Sequence, residues 1–149
     1  MDSGKGAVEK MMIQCLGCRL ANQIEPAHVV YEDEHVCAIL DHEPYHEGHT
    51  LIIPKTHVVE MEELDSVTVN AIWDASIKLS KILKYLFKPD GVTICQNGGL
   101  LNDLGHYHLH IIPRIKSQPF YTEKWGNMKN FDLCNTRTKM VQALRHISK

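Results

Sequence analysis

The chain has 149 residues, a formal charge of −2, 44% hydrophobic residues and 23% charged ones. That length and balance fit one ordinary globular domain with a real core. They exclude a general pull toward nucleic acid or anionic membrane, so any phosphate binding must be local. No apolar run reaches the length of a membrane span. The small, polar N-terminus carries no apolar signal segment, so export is not expected. Cys15, Cys18, Cys37, Cys95 and Cys134 are an odd number without dense disulfide spacing, which points to a reducing cytoplasm.

In chain order, residues 1–10 read as a flexible tail, and Cys15 to Asn22 as a helical turn. Val29-Val30-Tyr31 and Val36 to Leu40 read as strands joined by the charged turn Glu32-Asp33-Glu34. Thr50 to Pro54 is a third strand, closed by its proline. Asp65 is a good N-cap for a long helix over 66–87. Val69, Ile72, Trp73, Leu79, Leu83 and Leu86 give that helix an apolar stripe, and Pro89-Asp90-Gly91 stops it. Val92 to Cys95 is a fourth strand. A glycine-bearing loop, Asn97 to Gly105, leads into His106 to Ile112, and Asp132 to Ile147 forms a last helix. The sum is an α+β arrangement with an antiparallel sheet of about five strands, one long helix and a C-terminal helix. The domain proper spans 11–115, with 116–149 an extension packed on it.

The stretch His106-Tyr107-His108-Leu109-His110-Ile111-Ile112 is the most informative in the sequence. Histidines alternate with bulky apolar residues at the period a β-strand requires. On such a strand all three imidazoles share one face, while Tyr107, Leu109 and Ile111 turn into a core. Histidine readily serves as nucleophile, proton carrier or metal ligand near neutral pH. The outer two stand about 13 Å apart on a straight strand. Zinc–nitrogen bonds of about 2 Å then argue against one ion shared by both. Divided roles fit better, and the turn-rich loop from Gln96 to Gly105 can turn backbone N–H groups toward an anion. Phosphate chemistry suits that combination. His42, His46 and His49 cluster in one loop and read as solvated.

The triad and Pro113-Arg114 after it match the His-φ-His-φ-His-φ-φ signature, and the chain resembles the histidine-triad (HIT) superfamily. The likeness runs through Cys15-Leu16-Gly17-Cys18, Val30 to Val36, Ile39-Leu40-Asp41, Gly48 to His57 and Pro89-Asp90-Gly91, in order, over residues 15–115. The resemblance implies a nucleotide hydrolase or transferase acting at the α-phosphate of a nucleoside phosphoramidate or dinucleoside polyphosphate. His108 takes the nucleophile's position, giving a nucleotidyl-histidine that water resolves. An ordinary histidine pKa of about 6.5 leaves most of such a side chain neutral at pH 7.5. His110 corresponds to the donor to non-bridging phosphate oxygens. Asp41 matches the ribose-binding position, Leu20 and Leu40 match the base pocket, and Gln96 lies near a phosphate- or sugar-contacting position. Many relatives carry Gly-Gln-Ser/Thr just before the first histidine; this chain has Leu101-Asn102-Asp103. Asn102 can still donate. An ionised Asp103 repels phosphate unless it turns away, is protonated, protonates the leaving group or pairs with a substrate cation.

Cys15-x-x-Cys18 has the spacing of a structural zinc half-site, whose remaining ligands must come from elsewhere. Bacterial relatives with this pair resemble the chain closely, and in them the matching positions are His57 and His106. That resemblance assigns His106 to zinc and leaves His108 and His110 for phosphate. It also implies a homodimer, with helix 66–87 and the fourth strand at the interface and one continuous sheet spanning both copies. The expected partner is a nucleotide, with adenine as its base. A rival reading is a nucleotide- or partner-binding module with structural zinc and little catalysis, which Asp103 favours. A weaker one is a metal-dependent hydrolase that uses the triad as ligands. Phe120-Tyr121 and Trp125 could reach over a neighbouring pocket, although a plain capping segment is the simpler reading.

Overall fold

A computed structural model describes residues 3–120 and 130–147. Its centre is a five-stranded antiparallel sheet in the order β1-β2-β3-β5-β4. The strands are β1 (Val29–Glu32), β2 (Val36–Leu40), β3 (Thr50–Pro54), β4 (Gly91–Cys95) and β5 (Leu109–Arg114). The helices are α1 (Ser3–Gln14), α2 (Leu16–Ala21), α3 (Ser66–Phe87) and α4 (Leu133–Ile147). The expected α+β class, long helix and C-terminal helix are all present.

Strand alternation sorts side chains to the two faces of the sheet. Val36, Ala38, Leu40, Ile52, Leu109 and Ile111 enter the larger core with α3 and α4. Cys37, Ile39 and Ile53 turn to the other face and pack with Ala21 of α2. This second face carries the site described below.

Helix α3 starts where Asp65 accepts a hydrogen bond from the Thr68 N–H at 2.7 Å, and it ends at the left-handed Lys88. Ala71, Ile72, Ala75, Leu79, Ile82 and Leu83 form its buried stripe. Fully burying each large aliphatic side chain of this kind contributes roughly 1.5–3 kcal/mol. Trp73, expected in the stripe, is 51% exposed. One residue past Ile72 is a rotation of about 100°, which takes it off the buried face. Gly48 has a φ of +94°, and a Cβ there would stand 2.6 Å from Leu83 Cδ2, so this turn into β3 requires glycine.

Two segments depart from the sequence reading. Residues 1–10, read as a tail, are helical from Ser3, although α1 is almost wholly exposed. Ala7, Glu9, Lys10, Met11, Met12 and Gln14 are good helix formers, and they offset Gly4 and Gly6. The histidine strand begins at Leu109, not His106. The Tyr107 N–H donates to the Val58 carbonyl instead of joining the ladder, and the His106 ring is held by Pro54. Alternation nevertheless continues, with Tyr107 in the larger core beside Leu109 and Ile111. Helix α4 packs across α3 and β1 and buries Met140, Ala143 and Leu144. Phe120 lies 3.9 Å from the Arg114 guanidinium. Tyr121 and Trp125 lie outside the described residues.

Candidate active site and metal centre

On the α2 face, the ends of β2, β3 and β5 converge on a cavity of about 620 Å³. That volume suits a small organic ligand. Leu16, Leu20, Ile39, Leu40, Leu51 and Leu104 supply apolar walls, and Asp41, Asp103, His108 and His110 supply the polar end. An apolar slot ending in imidazoles and carboxylates can take a flat base at one end and a reacting group at the other.

His108 has its ring orientation fixed by its own strand. Its Nδ1 lies 2.9 Å from the His106 carbonyl, which can only accept, so Nδ1 carries the proton. Nε2 is left as the basic atom. Its near neighbour is Asp103 Oδ1 at 3.6 Å.

His110 is governed by a residue the sequence reading placed in a solvated loop. His49 is fully buried. The Tyr45 N–H donates to His49 Nδ1 at 3.1 Å, which leaves the His49 proton on Nε2. That Nε2 stands 2.9 Å from His110 Nδ1 and 3.5 Å from Asp41 Oδ2. His110 Nδ1 therefore accepts, and its proton sits on Nε2. The chain Tyr45–His49–His110 aims a neutral N–H donor from the strand. Burial, then the neighbouring histidines, pushes His49 down to about 3. Burial likewise lowers His110 to about 4, with His108 adding to the effect. Both are uncharged at neutral pH. The signal for His49 was present in the sequence: residues 49, 51 and 53 share one parity, and Leu51 and Ile53 face α2.

Asp41 follows β2. Its Oδ1 accepts the Glu43 N–H at 2.9 Å. Burial pushes its carboxyl up, and the charges of Glu43 and Asp103 add to that. Leu20, Leu40, Asp41 and Asp103 meet at the cavity with His108 and His110. Gln96 and Asn102 are not among its lining residues. Gln96 donates to the Asn97 carbonyl. Asn102 is a loop organiser: its Oδ1 accepts the Leu104 and Gly105 N–H groups at 3.1 and 3.0 Å. Its Nδ2 reaches the Val59 and His106 carbonyls. The side chain is committed to shaping the turn that presents Asp103.

Behind His108, four side chains that could hold a metal ion converge. Cys15, Cys18, His57 and His106 place their ligand atoms within 4.8 Å of one another. Cys18 Sγ lies 3.2 Å from His57 Nδ1 and 3.5 Å from His106 Nδ1, and Cys15 Sγ lies 3.4 Å from His106 Nδ1. Tetrahedral zinc with bonds of about 2.3 Å to sulfur and about 2.0 Å to nitrogen has edges of roughly 3.3–3.8 Å, so the donor set fits. The His106 Nε2–H donates to the Pro54 carbonyl at 2.8 Å, which leaves Nδ1 free to ligate. The Cys18 N–H points at Cys15 Sγ, the usual support for a knuckle thiolate. Burial, then Cys15, pushes the Cys18 thiol up to about 12, so a bound cation is what would hold it as thiolate. Gly17 lies against His106, where a Cβ would approach His106 Cβ to 2.3 Å. Asp41, His49 and His110 also bring ligand atoms together, but there the two rings already bond each other.

A family profile described as "HIT domain" matches residues 22–117. An uncharacterised HIT-like protein of Methanocaldococcus jannaschii is 39% identical over 122 residues, covering 80% of this chain and 92% of that protein. The adenylylsulfatase HINT3 of Arabidopsis thaliana is 29% identical, covering 96% of this chain and 75% of the plant protein. The adenosine 5′-monophosphoramidase HNT1 of Saccharomyces cerevisiae is 28% identical, over 67% of this chain and 62% of the yeast protein. Among solved structures, a zinc-bound histidine triad family protein from Mycobacterium smegmatis superposes with a TM-score of 0.77. It is 28% identical, over 92% of this chain and 97% of that one. A cavity ending in two tautomer-fixed imidazoles, the triad that bears them and the matched residues agree: the chain belongs to the HIT family.

Proposed function

We propose that the chain cleaves nucleotide substrates at the α-phosphate through a nucleotidyl-His108 intermediate, acting on a nucleoside phosphoramidate or a dinucleoside polyphosphate. One observation carries the reading: His108 Nδ1–H is tied to the His106 carbonyl, so Nε2 offers a lone pair to the cavity. Nε2 forms a bond to phosphorus as the bond to the leaving group breaks, and the leaving group keeps that electron pair. Water then displaces Nε2 and releases the nucleoside monophosphate. His110, with its proton on Nε2, donates to a non-bridging oxygen as charge builds there. Leu20 and Leu40 hold the base, and Asp41 accepts from the ribose hydroxyls. The two relatives named for adenylyl substrates support adenine as the base.

Cys15, Cys18, His57 and His106 hold a structural zinc in this reading, supported by the fit of the donor set and by the zinc-bound relative. The metal would pin α2 behind the nucleophile. Two copies pair through the β4 edge and the outer side of α3, where Trp73, Ile77 and Tyr85 are exposed. Among the described residues no helix is long and apolar enough to cross a membrane. The five cysteines are free, which supports a reducing cytoplasm.

The test is His108→Ala, which abolishes turnover of adenosine 5′-phosphoramidate and diadenosine tetraphosphate while the protein stays folded. Retained turnover overturns the mechanism. A second reading, a binding module with little catalysis, is favoured by the closeness of Asp103 to His108 Nε2. AMP binding by the wild type without turnover of either substrate would establish it.

A further inference from the structure

Asp103, beside the nucleophile, does not help bind a phosphate. Its carboxylate oxygen stands 3.6 Å from His108 Nε2, and its side chain is 91% exposed. It is not on a loose loop: the Asn102 side chain bridges the N–H groups on its far side and the carbonyls of Val59 and His106. Gly105, with a φ of +65°, closes the same turn. The carboxylate is therefore presented at the solvent side of the nucleophile. Among the described residues, those lining the cavity include Glu25, Asp41 and Asp103 but no lysine or arginine.

A phosphorus atom in position for attack sits about 3–3.5 Å from the attacking atom. With the carboxylate to the side of the attack line, Asp103 stands roughly 5 Å from the phosphorus and roughly 6–7 Å from the departing atom, which lies in line beyond it. The sign of charge at that atom decides what the carboxylate does. A polyphosphate or sulfate leaving group gains negative charge as its P–O bond breaks, and the carboxylate opposes it. An amine leaves after its nitrogen takes a proton from solvent. The P–N electron pair stays on nitrogen, and the group passes through a cationic state that the carboxylate stabilises. At that distance, Coulomb's law with a dielectric between protein surface and water gives roughly tenfold per unit charge. Because Asp103 is exposed, salt must weaken the effect.

We propose that Asp103 is the specificity-determining residue for the leaving group, selecting nucleotide substrates that lose a protonated amine over those that lose a polyphosphate or sulfate. The proposal rests on His108 being the nucleophile. Its test compares kcat/KM for adenosine 5′-phosphoramidate and diadenosine tetraphosphate in the wild type, Asp103→Asn and Asp103→Ser. The wild type favours the phosphoramidate. Both variants shift the ratio toward the tetraphosphate by about tenfold or more, mainly in kcat, and the shift shrinks at 0.5 M salt. An unchanged ratio, or a wild-type preference for the tetraphosphate, overturns the proposal even if His108 is confirmed as nucleophile. If neither substrate turns over, the reading of the reaction fails, and equilibrium binding still judges Asp103. The affinity for ATP relative to AMP must then rise about tenfold in Asp103→Asn at low salt, and no rise overturns the proposal.

Discussion

The His106 carbonyl accepts the Nδ1–H of His108 at 2.9 Å, while the His106 ring turns away toward Cys15 and Cys18. One residue thus belongs to two sites: its backbone sets the tautomer of the cavity imidazole, and its side chain is a candidate metal ligand. Helix α2 is shared in the same way. Cys15 at its N-cap and Cys18 face the metal cluster, while Leu16 and Leu20 line the cavity.

Metal removal is therefore felt at the cavity. Elemental analysis of the purified protein should find one zinc per chain. Chelation, or Cys18→Ser, lowers the melting temperature and weakens AMP binding. By linkage, AMP in turn raises the equilibrium affinity for zinc, read by competition with a chelator, by the same coupling factor. AMP affinity that is indifferent to the metal would show that the sites act separately.

Gly17→Ala sets two effects against each other. Helix propensity alone favours alanine by about 1 kcal/mol. The new Cβ would lie 2.3 Å from His106 Cβ, inside any tolerated contact. Overpacking of that kind costs typically 1–3 kcal/mol, so the variant is destabilised and binds metal less tightly. A raised urea midpoint would contradict the packing described.

His49→Phe fills the same space without an imidazole. His110 then loses the donor to its Nδ1, and its proton is no longer confined to Nε2. The expected loss in kcat is up to about a hundredfold. AMP affinity changes little. An unaltered kcat would remove the relay from the account.

The pH dependence of stability follows from the buried histidines. His49 is lowered from 6.5 to about 3, and His110 and His106 from 6.5 to about 4, by burial in each case first. A histidine with a depressed folded pKa stabilises the fold fully above its unfolded pKa. That contribution falls as pH drops from 6.5 toward the folded value. Each contributes a slope of up to about 1.4 kcal/mol per pH unit in that window. Urea midpoints of the metal-free protein should fall steeply between pH 6.5 and 4, more gently in His49→Phe. A flat profile would show that these rings are not buried neutral.

Much of this was legible in the sequence, because local patterns report local physics. The apolar runs at 36–40 and 50–54 marked two strands, alternation through 106–112 marked the faces of a third, and Asp65 marked the start of α3. What escaped depends on distant partners. His49 looks like a loop residue until Tyr45 and His110 close around it. Asn102 looks like a phosphate donor until its amide is seen holding Val59 and His106. The late start of β5 reflects Tyr107 bonding Val58, a pairing outside any ladder that periodicity could reveal. The approach of Asp103 to His108 is likewise set by a turn whose geometry the residue types alone did not specify.

The covalent route can be observed directly. The direct measurement is intact-protein mass spectrometry after a brief incubation with adenosine 5′-phosphoramidate, under a quench that preserves phosphohistidine. Attack by His108 gives a mass increase of one adenylyl group, mapped to His108 and absent from His108→Ala. Product formation without that adduct, or an adduct on another residue, would contradict it.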